Sequence, residues 1–147
     1  MKVSRFEDLD CWKEARQLTR QVYEAIGRNP LWQKDVRLCG QIQAASVSVL
    51  SNVAEGFVRH SDKEFVQFLF IAMSSAAETQ SHAYVALDQK YLSQERFDAI
   101  YAQAGKTSRI ISGLIKYLRN KAGKTRWTRQ TIHCVGTPFG RDRVTKR

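Results

Sequence analysis

Apolar residues recur at intervals of three and four in four stretches of this 147-residue chain, which is the period of one helix face. In the first, Leu9, Trp12, Ala15, Leu18, Val22 and Ile26 line up, with Lys13, Arg16, Arg20 and Glu24 opposite. This predicts a helix from residue 6 or 8 to residue 26. Asn29-Pro30 closes it, because the residue before a proline avoids helical angles. The spacing of Trp12 and Tyr23 reads as core or interface. The second stretch, about residues 33–55, carries Val36, Cys39, Ile42, Ala45, Val49 and Val53 on one stripe. Its middle is small, with Ala44, Ala45, Ser46, Ser48 and Ser51, so a neighbouring helix can approach closely. The third, about residues 62–89, has Phe65, Leu69, Ala72, Ala76, Thr79, Ala83 and Leu87 on one face. The fourth, about residues 93–118, aligns Phe97, Ile100, Ala104, Ile111, Leu114, Ile115 and Leu118 behind Ser93 as N-cap. Short connections make consecutive helices antiparallel neighbours. The pattern therefore predicts an all-α fold: an up-down-up-down antiparallel four-helix bundle over residues 1–118, then a basic, mostly irregular C-terminal tail over residues 119–147.

In the third stretch Phe68 to Met73 is apolar in every direction. A helix hydrophobic all round must be covered all round, and a single four-helix bundle covers about one face of each helix. The remainder predicts a homo-oligomer.

The turn between the second and third helices, residues 46–65, reads SVSVLSNVAEGFVRHSDKEF. Gly56 is expected to stop a helix in the left-handed conformation, which glycine adopts without a Cβ penalty. Ser61 and Glu64 have the spacing of a capping box, each side chain meeting the other residue's amide. Arg59 lies four residues after Glu55, so a structural ion pair is favoured over a free phosphate contact. Asn52 is expected to use its amide at the helix–helix contact. Asn52, Glu55, Gly56, Arg59, Ser61 and Glu64 thus form a structural corner with no catalytic pattern.

Composition sharpens this picture in one respect. The net charge is +10, but residues 1–118 hold 15 Lys and Arg against 13 Asp and Glu. Residues 119–147 hold nine bases against Asp142 alone, a net of +8. A neutral body with a cationic tail points to an anionic partner, namely nucleic acid, anionic lipid or an acidic protein, or else to a solvated tail. In the tail, Arg119, Lys121, Lys124, Arg126, Arg129, Arg141, Arg143, Lys146 and Arg147 can neutralise phosphates. Trp127 and Phe139 sit among them, where an aromatic can stack on bases or dock on the bundle.

Candidate chemistry is sparse. Cys11, Cys39 and Cys134 are odd in number and widely spaced, which fits a reducing compartment. Cys39 falls on an apolar stripe and reads as a buried thiol. Residues 1–10 are charged throughout and the longest apolar run is short, so a cytoplasmic protein without membrane spans is expected. A di-metal bundle needs Glu-x-x-His, which is absent; Glu78 and His82 are four apart and read as a surface pair. His133-Cys134 has no zinc spacing around it. No phosphate-binding glycine loop and no G-x-S-x-G occurs. Arg126 and His133 match the spacing used by some helical-bundle ribonucleases, but they lie in a glycine-broken, arginine-rich segment where that spacing arises by chance. Neither an enzyme nor a metal or other cofactor is expected.

The chain resembles one known family. The features are Phe6-x-x-Leu9-x-x-Trp12 with Ala15; Gln41-Ile42 with Ala45; Ser51-Asn52-Val53-Ala54-Glu55-Gly56, Arg59 and Ser61; Glu64-Phe65 with Phe68-Leu69; and Ile71-Ala72 followed by Ser74 or Ser75 and Glu78. Over residues 6–118 it is similar to the bacterial four-helix-bundle proteins encoded in intervening sequences of 23S ribosomal RNA genes. These in turn are similar to the accessory variability-determinant (Avd) proteins of diversity-generating retroelements. The resemblance implies a homopentameric ring of bundles, binding of nucleic acid (RNA or DNA) and, in the retroelement branch, association with a reverse transcriptase. It implies no catalytic residues. Gln43 and Ala44 stand where many members carry a basic pair, and Leu50 where many carry proline. Residues and resemblance together predict a non-catalytic, sequence-tolerant nucleic-acid-binding oligomer. The alternative is a protein-interaction scaffold docking on a partner such as a reverse transcriptase.

Overall fold

A computed structural model describes residues 3–121. A short 3-10 turn, Phe6–Asp8, leads into α1 (Asp10–Gly27), α2 (Pro30–Lys34), α3 (Val36–Phe57), α4 (Asp62–Asp88) and α5 (Gln94–Lys121). No strand occurs among the described residues. The four long helices close a square: α1 packs on α3, α3 on α4, α4 on α5, and α5 back on α1. This is the expected antiparallel bundle. No helix of the described residues is long and apolar enough to cross a membrane.

Each apolar stripe faces the centre, except that Val36, at the very start of α3 where the helix leaves the bundle end, is exposed. Leu18 and Val22 of α1, Ile42, Val49 and Val53 of α3, Leu69 of α4, and Ile111 of α5 are fully buried. The α3–α4 contact is lined by small side chains. Ser48 and Ser75 meet there, and Ser46, Ser75, Thr79 and, on α5, Thr107 are buried. The buried hydroxyls bond to carbonyls one turn back, as Thr79 Oγ1 does to Ser75 O at 2.9 Å and Thr107 Oγ1 to Gln103 O at 2.8 Å. Satisfied in this way, they cost the core little and let the helices approach.

The second helix departs from its expected limits at both ends. Asn29-Pro30 closes α1 but also opens α2. Asn29 Oδ1 accepts from the amides of Leu31 and Trp32 at 3.0 and 3.2 Å, and Pro30 takes the first helical position, where a missing N–H costs nothing. Asp35 then breaks the chain and caps α3, accepting from Leu38 N at 3.1 Å. The separate turn places Trp32 in the core as its largest fully buried side chain. Trp32 stacks on Tyr91 at 6.0 Å, and Asn29 Nδ2 donates to Tyr91 O at 2.9 Å, so both connections at this end are tied together. Cys39 Sγ donates to Trp32 O at 3.0 Å, as a buried structural thiol. Cys11 is 1% exposed, and burial pushes its thiol up to about 12. Cys134 lies outside the described residues. Trp12 is half-buried, whereas Tyr23 is exposed rather than in the core.

At its other end α3 runs through Gly56 to Phe57, and no glycine among the described residues has positive φ. The expected left-handed stop at Gly56 is therefore corrected. Glycine is needed there for closeness. A Cβ at position 56 would lie 2.6 Å from Phe68 Cβ and 2.7 Å from Phe65 Cδ2. The left-handed residue is Lys90, with φ 62°, just after α4. Finally, α5 continues past residue 118 to Lys121, so the first residues of the expected tail are helical.

Candidate nucleic-acid interface

The corner residues do structural work. Asn52 Nδ2 donates to Ser48 O at 2.8 Å and to Ser48 Oγ at 3.0 Å, and Ser48 Oγ meets Ser75 Oγ of α4 at 2.8 Å. Its amide thus supports the helix–helix contact through Ser48. Arg59 is paired with Glu55, and its guanidinium also lies over Phe68, 4.7 Å from the ring centre. Ser61 Oγ caps α4 by accepting from Glu64 N at 3.2 Å. The return half of the capping box differs from expectation: Ser61 Oγ donates to the Glu64 carboxylate at 2.8 Å, in place of the Ser61 amide. Glu78 and His82 form a helix-surface pair at 3.3 Å. Among the described residues no three His, Cys, Asp or Glu side chains gather as a metal site would require.

The expected phosphate contacts divide in two. Arg119 and Lys121 stand in the last turn of α5, where cations complement the helix dipole. Lys124, Arg126, Trp127, Arg129, Arg141, Arg143, Lys146 and Arg147 lie outside the described residues, as do Phe139 and the Arg126–His133 pair. Arg119 lies over the Phe70 ring at 5.1 Å, and Lys121 Nζ lies 5.5 Å from the Tyr117 ring centre.

The helix limits also move the charge boundary. No acid occurs on α5 after Asp98, while Lys106, Arg109, Lys116, Arg119 and Lys121 follow it. Residues 1–98 carry 12 bases and 13 acids, a net of −1, whereas residues 99–147 carry 12 bases against Asp142, a net of +11. The cationic third of the chain thus begins inside the bundle. Counting by helix and tail missed this, because Lys106 and Arg109 fall inside an amphipathic stretch. Lys106 is neutralised locally: its ammonium donates to Glu14 at 2.8 Å, and Gln103 Nε2 donates to the same carboxylate at 2.6 Å. Lys106 first, then Gln103, holds the Glu14 carboxyl below the usual carboxylate range.

The family model for 23S rRNA-intervening sequence proteins matches residues 7–113. The chain belongs to that family. Among solved structures, it is similar to a protein of unknown function from the S23 ribosomal protein family of Bacteroides thetaiotaomicron. The two are 18% identical, with a TM-score of 0.65, and the match covers 72% of this chain and 98% of that one. At that identity the likeness shows a shared fold. No curated protein matches the chain in sequence. The corner lies inside the family match, whereas Lys116, Arg119, Lys121 and the tail lie beyond it.

Proposed function

We propose that this member of the 23S rRNA-intervening sequence family is a non-catalytic, nucleic-acid-binding homo-oligomer that grips phosphates with little sequence preference. The observation that carries this reading is the net charge of +11 on residues 99–147 beside −1 on residues 1–98. A cationic segment of this density releases condensed counterions when it meets a polyanion, and that release drives sequence-independent affinity. The bundle provides assembly; Arg119, Lys121 and the seven basic residues after them provide phosphate contacts.

The test is binding of a generic RNA and a generic duplex DNA by the full chain across a salt series. Replacing the seven basic residues after Lys121 with Gln should weaken both complexes alike. It should also flatten the salt slope by ~0.7–0.9 per lost phosphate contact. A slope unchanged by the replacements removes the tail from the interface.

A second reading, a protein-interaction scaffold docking on a partner such as a reverse transcriptase, draws support from exposed apolar surface. Ile71, Tyr84 and Val85 of α4 and Tyr101 and Tyr117 of α5 are all exposed. The same surface supports assembly into a homo-oligomer, for which a pentamer is the proposed form. Partners that survive nuclease during co-purification favour the scaffold.

A further inference from the structure

Between α4 and α5, toward the end where α5 finishes, lies an open groove of about 250 Å³. Phe70, Met73 and Ile115 line its apolar side; Ser112, Lys116 and Arg119 line its polar side. Two features suit it to an anionic ligand. The first is positive charge with no carboxylate beside it. Arg5, Lys13, Arg28, Arg59 and Lys106 each have a carboxylate partner. Neither Lys116 nor Arg119 forms an ion pair among the described residues, and α4 carries no acid between Glu64 and Glu78. The second is the way Arg119 is held. The ring of Phe70 supports the guanidinium from below, 5.1 Å away, and a cation–π contact leaves the N–H fork free to donate.

A ligand for this groove needs an anionic group for Lys116 and Arg119 and a flat apolar part for the Phe70 side. Phe70 keeps 43% of its surface exposed. An unpaired nucleotide supplies both, because its base is free to stack and its phosphate is adjacent. A duplex keeps its bases stacked inside and offers mainly phosphate to such a surface. Residues 122–147 add seven bases against Asp142, so a strand seated in the groove meets further positive charge along the chain.

Building on the nucleic-acid reading above, we propose that the α4–α5 groove seats one nucleotide of a single strand, its phosphate on Lys116 and Arg119 and its base against the Phe70–Arg119 pair. The groove thereby gives a tail that reads only phosphate a preference for single strands.

The experiment compares the full-length chain with its Phe70→Leu and Lys116→Gln/Arg119→Gln variants. The probes are a single-stranded oligonucleotide and a duplex of equal length, each in a salt series, with the mass of every variant measured alongside. Phe70→Leu should weaken single-strand binding roughly tenfold, the loss expected for one stacked base, and leave duplex binding unchanged. The double charge variant should flatten the single-strand salt slope by ~0.7, for the one phosphate that the pair neutralises. Variants that bind both probes as the parent does overturn the groove assignment while the tail reading stands. Equal weakening of both probes by Phe70→Leu also overturns it. A changed oligomer mass for Phe70→Leu does so as well, by identifying the groove as a contact between copies. A parent chain that binds neither probe overturns the nucleic-acid reading itself.

Discussion

A methyl group at position 56 has no room. Its carbon would sit 2.6 Å from Phe68 Cβ, an atom fixed to the α4 backbone, so relief requires a shift of the helix itself. Alanine gains about 1 kcal/mol over glycine in a helix interior, but overpacking costs about 1–3 kcal/mol. The clash should win. Gly56→Ala is expected to lower stability by up to about 2 kcal/mol in chemical denaturation, and a more stable variant would refute the close-approach account. Sequence reading marked Gly56 as special but assigned the wrong reason. Glycine serves left-handed turns and close contacts alike, and only the partner across the gap distinguishes them. Asn52 and Arg59 were more legible, because their partners Ser48 and Glu55 lie only four residues before them in the chain.

At the scale of the element, the long helices were readable because each buries a stripe at helical spacing. The short one was not. α2 has five residues and one large buried side chain, Trp32, too few for any periodicity to register. Two local signals pointed to it, however: an Asn N-cap followed by Pro at the first position, and an Asp able to cap the next helix. The end of α4 offers a test. The amide of Tyr91 donates to Ala86 O at 2.8 Å, a closure that requires Lys90 to be left-handed at φ 62°. A lysine pays a steric penalty there that glycine does not. Lys90→Gly is expected to stabilise the protein by ~0.5–1 kcal/mol, read as a higher denaturation midpoint with unchanged slope. A destabilised variant would mean that the Lys90 side chain contributes more than its backbone costs.

For the whole molecule, the apolar run on α4 resolves into two faces. Leu69 and Ala72 are buried in the bundle, while Phe70 and Ile71 point outward. If the part of that outer face around Ile71 joins copies, Ile71→Lys should lower the measured mass in solution while helicity by circular dichroism stays the same. An unchanged mass would place the subunit contact elsewhere. If copies do assemble, several cationic tails on one particle would gain avidity for a polyanion without any new contact.

Periodicity, small-residue content and the run of charge along the chain were enough to establish the helical class, the up-down order, the stripes that form the core and the cationic C-terminal part. These are local or additive properties, so one dimension carries them. Three things were decided only when the helices packed. Gly56 became a contact point rather than a stop, because Phe65 and Phe68 of the next helix press on it. Trp32 became the largest buried side chain through pairing with Tyr91, 59 positions further on, and the connection that carries Tyr91 is bonded to Asn29. Phe70 and Arg119 became one surface across two antiparallel helices, where a sequence shows only an apolar run and a basic end. Each depends on a partner distant along the chain, and such pairings exist only once the long-range geometry of the bundle is set.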